Sequence, residues 1–276
     1  HILGEVFAID VCAYAVMSNH THLVLHVNKE KADALSTEDV IQRWHKLYKG
    51  TLISKRYLSP DLRKELHETQ IKTVELTAEV WRKRLFDISW FMRALNEYIA
   101  RAANKEDYCT GHFWEGRFKS QALLDESALA ACMAYVDLNP VRAKMAKTPE
   151  ASDHTSIKYR INAARLGKTP KRLMPLAGNP RQEMPHSLPF TLPDYLQLVD
   201  VTSRYLHPNK RGKVQHNLPP ILERLNIEHE HWITLTTQFE TCFKHAAGKV
   251  IHLEQYAQNQ HQQRVQGRQS AMRLLG

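Results

Sequence analysis

The sequence lacks the features that would direct it to a membrane or out of the cell. It contains no run of about eighteen apolar residues, which a transmembrane helix requires, and no basic-then-apolar leader at its start. Its four cysteines are scattered and form no CxxC pair, so we expect free thiols in a reducing compartment instead of a disulfide framework. These absences favour a cytoplasmic protein with no membrane partner.

Phosphate-binding loops and clustered carboxylates are also missing. The sequence contains no GxxxxGK[ST] motif, with which nucleotide-hydrolysing proteins hold phosphates. It also contains no group of acidic residues suited to a two-carboxylate, polymerase-type site. We therefore expect a protein that uses no nucleotide cofactor.

Positive charge is concentrated in the second half of the chain. Residues 1–150 hold 21 lysines and arginines against 20 acidic residues, a net charge of +1, whereas residues 151–276 hold 17 against 9, a net charge of +8. Such an excess predicts an acidic partner, of which nucleic acid is the commonest. The alternative is a basic surface that serves only solubility.

The order of predicted elements in the first 150 residues is typical of an α+β domain with an antiparallel sheet. Strands are predicted at Val6–Met17 and His20–Val27, which form a hairpin through Ser18 and Asn19, and a bent strand at Gly111–Leu124. One helix is predicted to begin after the N-cap Ser36, with Asp39 completing a capping box, and to end at Gly50. Two more are predicted at Asp87–Ala103 and at Ser127–Leu138, and Asn139 and Pro140 end the last one.

The amino-acid composition of the sequence changes after about residue 150. Residues 166–193 hold six prolines among basic and polar residues, which predicts a linker or a wrapping arm. Helical patterns return at Pro193–Tyr205, at Pro219–Leu225 and between Trp232 and Leu275. We therefore predict a domain at 1–150, a linker at 151–192 and a basic helical extension at 193–276.

His20 and His22 form the first chemical signal. Side chains at i and i+2 of a strand point to the same face, roughly 7 Å apart along the chain, so that two imidazoles can converge on one divalent ion. The side chains of Thr21, Leu23, Leu25 and Val27 are expected to face an apolar core instead. The pair His229 and His231 lies in a helical pattern, where i and i+2 diverge by about 200°, and is discounted.

Tyr135 forms the second signal. It lies on the flank of the predicted helix Ser127–Leu138, beside the small residues Ala128 and Ala131, which would leave a groove next to its hydroxyl. Asn139, four residues on, lies almost directly above it. Taken alone, Tyr135 is better explained as a half-buried tyrosine at a domain edge.

The segments MSNHTHLVLHV (17–27) and YVDLNPVRA (135–143) together resemble the REP-associated tyrosine transposases, a branch of the single-tyrosine HUH transposases. The resemblance spans roughly residues 4–145, and FWEGRFKSQ (113–121) is similar to the family's aromatic-basic strand. One position departs from the motif, because Thr21 stands where the family usually has a hydrophobic residue.

The resemblance implies an HUH ferredoxin-like domain with an antiparallel sheet and flanking helices, followed by a mainly helical C-terminal extension. It implies that His20 and His22 bind Mg²⁺ or Mn²⁺, that Asn139 completes the metal site, and that Tyr135 is the nucleophile. Family members begin with a strand and a helix before the counterpart of Val6–Met17. Since the chain starts at His1 without an initiator methionine, we expect it to be N-terminally truncated.

The implied activity is transposition by cleavage and rejoining of single-stranded hairpin DNA through a 5′-phosphotyrosine, carried out by a monomer at the bacterial nucleoid. Arg117, Lys119 and Arg142 are candidates for phosphate contacts, and Trp114 is a candidate for stacking on bases. Lys210 and Arg211 are the DNA-binding candidates of the extension. Arg117 and Lys119 could equally be solvated residues at a strand edge.

Two other hypotheses remain open at this point. The chain could be a catalytically inactive or domesticated protein that binds hairpin DNA without cutting it. It could also be an unrelated zinc hydrolase that uses His20, His22 and His26 with an activated water. The first predicts binding without a covalent adduct, and the second predicts activity that survives loss of the Tyr135 hydroxyl.

Overall fold

The computed structural model describes residues 2–176, 186–206 and 219–276. They form a mixed α+β structure that is mostly helical and includes a small two-stranded antiparallel sheet. The α+β class predicted from the sequence is therefore confirmed. The chain forms two compact units, the first made of His1–Asp10 and Leu25–Phe118 and the second of Val11–Val24 and Lys119–Gly276.

The predicted hairpin is present. Its strands are β1 (Ile9–Val16) and β2 (Thr21–Val27), and the backbone N–H of Met17 donates to the carbonyl of His20 at 2.9 Å to close the turn. One feature of β2 differs from prediction. Val24, on the same face as His22, is buried, whereas Leu23 and Leu25 are only half-buried and Val27 is exposed.

Seven helices of the described residues belong to the first unit. They are α1 (Ile2–Val6), α2 (Lys29–Asp33), α3 (Thr37–His45), α4 (Leu52–Leu58), α5 (Pro60–Lys64), α6 (Glu68–Leu85) and α7 (Ile88–Glu106). The predicted capping box at Ser36 and Asp39 is present and begins α3, which ends at His45, before the predicted stop at Gly50. The eighteen-residue α6 has no counterpart among the helices predicted from the sequence.

The second unit contains the remaining elements. They are β3 (Ala122–Leu123), α8 (Glu126–Asp137), α9 (Asn139–Arg142), a 3₁₀ turn (Pro149–Ala151), α10 (Ser156–Arg165), α11 (Leu192–Leu206), α12 (Pro220–Leu225), α13 (His229–Cys242), β4 (Ala246–Ala247), α14 (Val250–Asn259) and α15 (Arg268–Leu274). The helix predicted at Ser127–Leu138 is thus confirmed as α8. Its N-cap is Asp125, whose carboxylate accepts the backbone N–H of Ala128 at 2.9 Å.

The strand predicted at Gly111–Leu124 is wrong except at its end. Only Ala122 and Leu123 are extended, and they pair in parallel with Ala246 and Ala247. The preceding residues are irregular and mostly exposed. Alternating residue types did not suffice here, because a strand also needs a partner for its backbone hydrogen bonds.

The core of the second unit joins the hairpin to helices on both sides of residue 150. Cys12, Ala15 and Val24 share it with α8, with α10 and α11, and with Trp232 and Phe239 of α13. The compact units therefore follow a different division from the predicted limits 1–150, 151–192 and 193–276, which stay a prediction. None of the helices in the described ranges combines the length and apolar character that crossing a membrane requires.

Candidate active site

The two histidines of the hairpin lie side by side. The ring centroids of His20 and His22 are 4.9 Å apart, with the ring planes nearly perpendicular at 87°. His20 is the residue just before β2 and is exposed, whereas His22 lies within β2 and is half-buried. The i, i+2 spacing thus places both imidazoles on one side of the strand, as the sequence predicted.

The Nδ1 atom of each ring faces an oxygen. Nδ1 of His20 lies 2.6 Å from Oδ1 of Asn19, and Nδ1 of His22 lies 3.6 Å from Oε1 of Glu240. The short contact with Asn19 favours the His20 tautomer in which Nδ1 carries the hydrogen, because only an N–H can donate to an oxygen. In that tautomer the lone pair of the neutral ring is on Nε2, which is the arrangement of histidines that bind metals.

Tyr135 reaches the histidines from the last turn of α8. Its ring centroid is 5.9 Å from that of His22, in an edge-to-face contact, and 6.1 Å from that of Phe239 in α13. The side chain is half-buried against the core. The groove predicted beside it is not formed at Ala128 and Ala131, because both are fully buried in the core of the second unit.

Arg142 and Asn139 extend this group of residues. The Arg142 guanidinium lies 3.7 Å above the Tyr135 ring centroid and donates to the carbonyl of Thr236 and to Oδ1 of Asn139, each at 2.8 Å. Arg142 was predicted to contact phosphate, but two of its donors are used inside the protein. Asn139 is the first residue of α9 and is buried, with Pro140 following it.

Glu240 is the member of the site that the sequence did not reveal. It lies on α13, its carboxylate faces both His22 and the Tyr135 hydroxyl, and it is exposed. No local pattern marks it, since it joins the site only because α13 packs against α8. The more conspicuous His229 and His231 of the same helix take no part in the contacts of the His20–His22 pair.

Burial dominates the protonation behaviour of the site. It lowers the pKa of His22, with His20 and Arg142 contributing in the same direction and Glu240 opposing them. Burial also raises the pKa of Tyr135, an effect that Arg142 opposes and Glu240 reinforces. These shifts favour the neutral imidazole of His22, which is the form that binds a metal, and the protonated phenol of Tyr135.

The donor atoms fit a divalent ion in part. Imidazole nitrogens and the Asn139 carbonyl oxygen are acceptable ligands, and that oxygen keeps a second lone pair while it accepts from Arg142. Three side chains of His, Cys, Asp or Glu do not come together as a metal-binding group in the described ranges. An ion held by His20, His22 and Asn139 would therefore rely on substrate or water oxygens for its other ligands.

The other predicted DNA contacts do not join this group of residues. Trp114 belongs to the first unit, where its indole N–H donates to the carbonyl of Asn96 at 2.9 Å. Arg117 and Lys119 are exposed in an irregular segment instead of alternating along a strand. Lys210 and Arg211 lie outside the described residues.

His26, the third ligand of the zinc hypothesis, is engaged elsewhere. Its Nδ1 lies 3.7 Å from Oδ2 of Asp10 on β1, and it belongs with Asp10 to the first unit. The geometry thus gathers His20 and His22 with Tyr135 and leaves His26 beside Asp10, which also pairs with Lys31.

Comparison with known proteins adds no relative. No protein-family model matches the chain, and neither a curated protein nor a solved structure matches it.

Proposed function

We propose that this protein is a metal-assisted transesterase of single-stranded hairpin DNA, of the single-tyrosine HUH transposase type, in which Tyr135 is the nucleophile. The observation that carries the proposal is the 5.9 Å contact of the Tyr135 ring with His22, beside His20. The family motifs predicted that these side chains would lie together, although His22 is on β2 and Tyr135 is on α8, far apart in the sequence.

In the proposed reaction, Oη of Tyr135 attacks phosphorus and forms a 5′-phosphotyrosine. The phenol proton passes to the Glu240 carboxylate, which faces the hydroxyl. The bond from phosphorus to the 3′ oxygen breaks, and that oxygen leaves with the bonding electrons and takes up a proton from solvent. Since one phosphoester replaces another, attack by a second 3′-hydroxyl can reverse the step without ATP.

His20, His22 and Asn139 are the residues that would hold Mg²⁺ or Mn²⁺. When bound, the ion would neutralise charge that develops on the phosphate oxygens. The oxygens beside Nδ1 of each ring orient the imidazoles, and Arg142 fixes the Asn139 amide through its 2.8 Å hydrogen bond. Arg142 also packs over the Tyr135 ring, 3.7 Å from its centroid.

The finer fold assignment, a ferredoxin-like HUH domain, belongs to this proposal and not to the observed fold. In the ranges that the structure describes, the sheet of β1 and β2 has no third strand, and β1 makes one isolated antiparallel bridge outside it, from Ala15 to Thr155. What supports the assignment is the placement of the histidines on the hairpin and of the tyrosine on the helix α8, both as the motifs require.

The test is a covalent adduct. Labelled single-stranded hairpin DNA would be incubated with the protein and Mg²⁺ or Mn²⁺ and resolved under denaturing conditions. We expect an adduct with the wild-type protein, none with Tyr135→Phe, and a strong loss with His22→Ala. Tyr205→Phe is the matched control, because Tyr205 is exposed on α11 and its loss should leave the adduct intact.

The competing hypothesis is a hairpin-binding protein that does not cut. One observation favours it: Glu240 places a negative charge beside Tyr135, where a phosphate would have to approach. Tight binding of the hairpin without any adduct would establish that alternative. An adduct that persists in Tyr135→Phe would contradict both.

A further inference from the structure

A group of aromatic rings in the first unit has a buried layer and an outer layer. Trp44 and Trp81 are almost fully buried and stack at 5.5 Å with an interplanar angle of 10°. Tyr48 stacks on Trp44 at 4.3 Å, and Trp90 meets Trp44 edge-on at 5.5 Å. Tyr48 and Trp90 are each half-buried, so part of each ring is exposed to solvent, and their centroids lie 6.2 Å apart in an edge-to-face contact.

Two arginines flank the outer layer. The guanidinium of Arg84, in the last turn of α6, lies 4.2 Å from the Trp90 ring centroid, and that of Arg93, on α7, lies 5.1 Å from it. Both also lie close enough to the Tyr48 hydroxyl to act on it electrostatically. We call Tyr48, Trp90, Arg84 and Arg93 the aromatic–arginine cluster.

The charges of this cluster have no carboxylate partner among residues 2–176, 186–206 and 219–276. The nearby Glu97 is paired with Arg101 at 2.6 Å. Arg82 shows the contrast, because it pairs with Glu79 and donates to two backbone carbonyls, a purely structural arrangement. Arg84 and Arg93 thus place positive charge that no ion pair of the described residues engages next to partly exposed rings, although Glu97 opposes their effect on the Tyr48 hydroxyl.

We propose that the aromatic–arginine cluster binds single-stranded nucleic acid. Unpaired bases would stack on Tyr48 and Trp90, and Arg84 and Arg93 would contact the adjoining phosphates. Single strands suit this surface because their bases expose the faces that a duplex hides, and such binding combines cationic side chains with aromatic platforms. An acidic protein would satisfy the arginines but would leave the rings unused.

The test measures binding of the full chain to a fluorescent oligothymidylate that forms no hairpin. We expect Arg84→Gln with Arg93→Gln to weaken binding and to reduce the slope of log affinity against log salt by about 1.4, since each phosphate contact on a single strand contributes about 0.7. Trp90→Leu should weaken binding about five- to a hundredfold. If Trp90→Leu fails to fold, the Arg84→Gln, Arg93→Gln double variant still tests the proposal.

The matched control removes two cations elsewhere in the same unit. Arg56 is paired with Glu65, and Lys72 lies twelve residues before Arg84 in α6, about 18 Å along the helix axis. Arg56→Gln with Lys72→Gln changes the net charge equally and should bind as the wild-type protein does. Equal losses in both double variants, or no loss in either, would overturn the proposal.

Two further arms identify the ligand. An oligouridylate arm shows whether RNA is bound as well as DNA, and binding of either oligonucleotide with the expected variant pattern supports the inference. Polyglutamate bound as tightly as the oligonucleotides would overturn it. Adduct formation at Tyr135 is a separate measurement. Absence of an adduct would contradict the proposed transesterase activity but would not affect the proposed binding by the aromatic–arginine cluster.

Discussion

Oε1 of Glu240 lies 3.6 Å from Nδ1 of His22. Helix α13, which carries Glu240, therefore lies beside the histidine pair of the β1–β2 hairpin. The carboxylate stabilises the protonated imidazole and so opposes the burial that lowers the pKa of His22. The same carboxylate raises the pKa of Tyr135. One side chain from the last third of the chain therefore affects both groups of the proposed reaction.

Glu240→Gln should lower the pKa of His22 further, because it removes the one contribution that raises that pKa. The shift would be measured by NMR titration of the His22 ring proton on Cε1. Glu230→Gln is the control, since Glu230 lies on the same helix and has no ion pair within the described ranges. An unchanged or higher pKa of His22 in Glu240→Gln would contradict the observed contact.

Arg142→Lys should destabilise the protein by about 1–3 kcal/mol. A lysine ammonium cannot donate in fixed directions to both Thr236 and Asn139 while it covers the Tyr135 ring. Urea unfolding would give the free-energy change. Arg204→Lys, at an exposed pair with Asp200 on α11, should change stability by less than about 1 kcal/mol, and equal losses in both variants would refute the prediction.

The parts of the fold that the sequence predicted are those with local signals. Ser36 with Asp39 marks the start of α3, and Asp125 marks the start of α8, because a capping side chain acts within three residues of its own position. The hairpin was predictable for a similar reason, as its turn joins adjacent strands. His20, His22 and Tyr135 could then be paired through the family motifs.

The parts that the sequence did not predict depend on distant partners. Glu240 enters the site only through the packing of α13 on α8, and Val24 is buried because the second unit covers that face of β2. The segment around Arg117 has the alternation of a strand, but no described strand pairs with it. Burial and pairing of this kind are properties of the assembled core, which no short window of sequence contains.

Tyr195→Phe should destabilise the protein by about 1–3 kcal/mol, since it leaves a buried carboxylate oxygen without its donor. The Tyr195 hydroxyl donates to Oδ2 of Asp137 at 2.6 Å, while Oδ1 accepts from Ser156 and from the backbone N–H of Ile157. All these groups are buried, and together they join α8 to α10 and α11. Urea or thermal unfolding would measure the loss.

The control for that prediction is Tyr205→Phe on the same helix. Tyr205 is 51% exposed, so removal of its hydroxyl should change stability by no more than about 0.5 kcal/mol. In addition, Tyr195→Phe should cost much less in an Asp137→Ala background, because the acceptor is already gone. Additive losses in the double variant would show that the two side chains do not act as a pair.

Asp10→Asn should remove part of the acid sensitivity of the protein. The neighbouring His26 and Lys31 hold the pKa of Asp10 below its usual 3.8, against the opposing effect of burial, with Lys31 Nζ 3.3 Å from Oδ1. A lowered pKa contributes stability above the pKa of the unfolded chain, and that contribution is lost as the pH falls through the folded value. The wild-type protein should therefore exceed Asp10→Asn in stability by up to about 1 kcal/mol near pH 6. The difference should shrink on acidification to about pH 3.

Urea unfolding at several pH values would measure this difference. Asp107→Asn is the control, because Asp107 is exposed and has no ion pair in the described ranges. A difference that stays constant or grows toward low pH would show that the ion pairs of Asp10 contribute no stability.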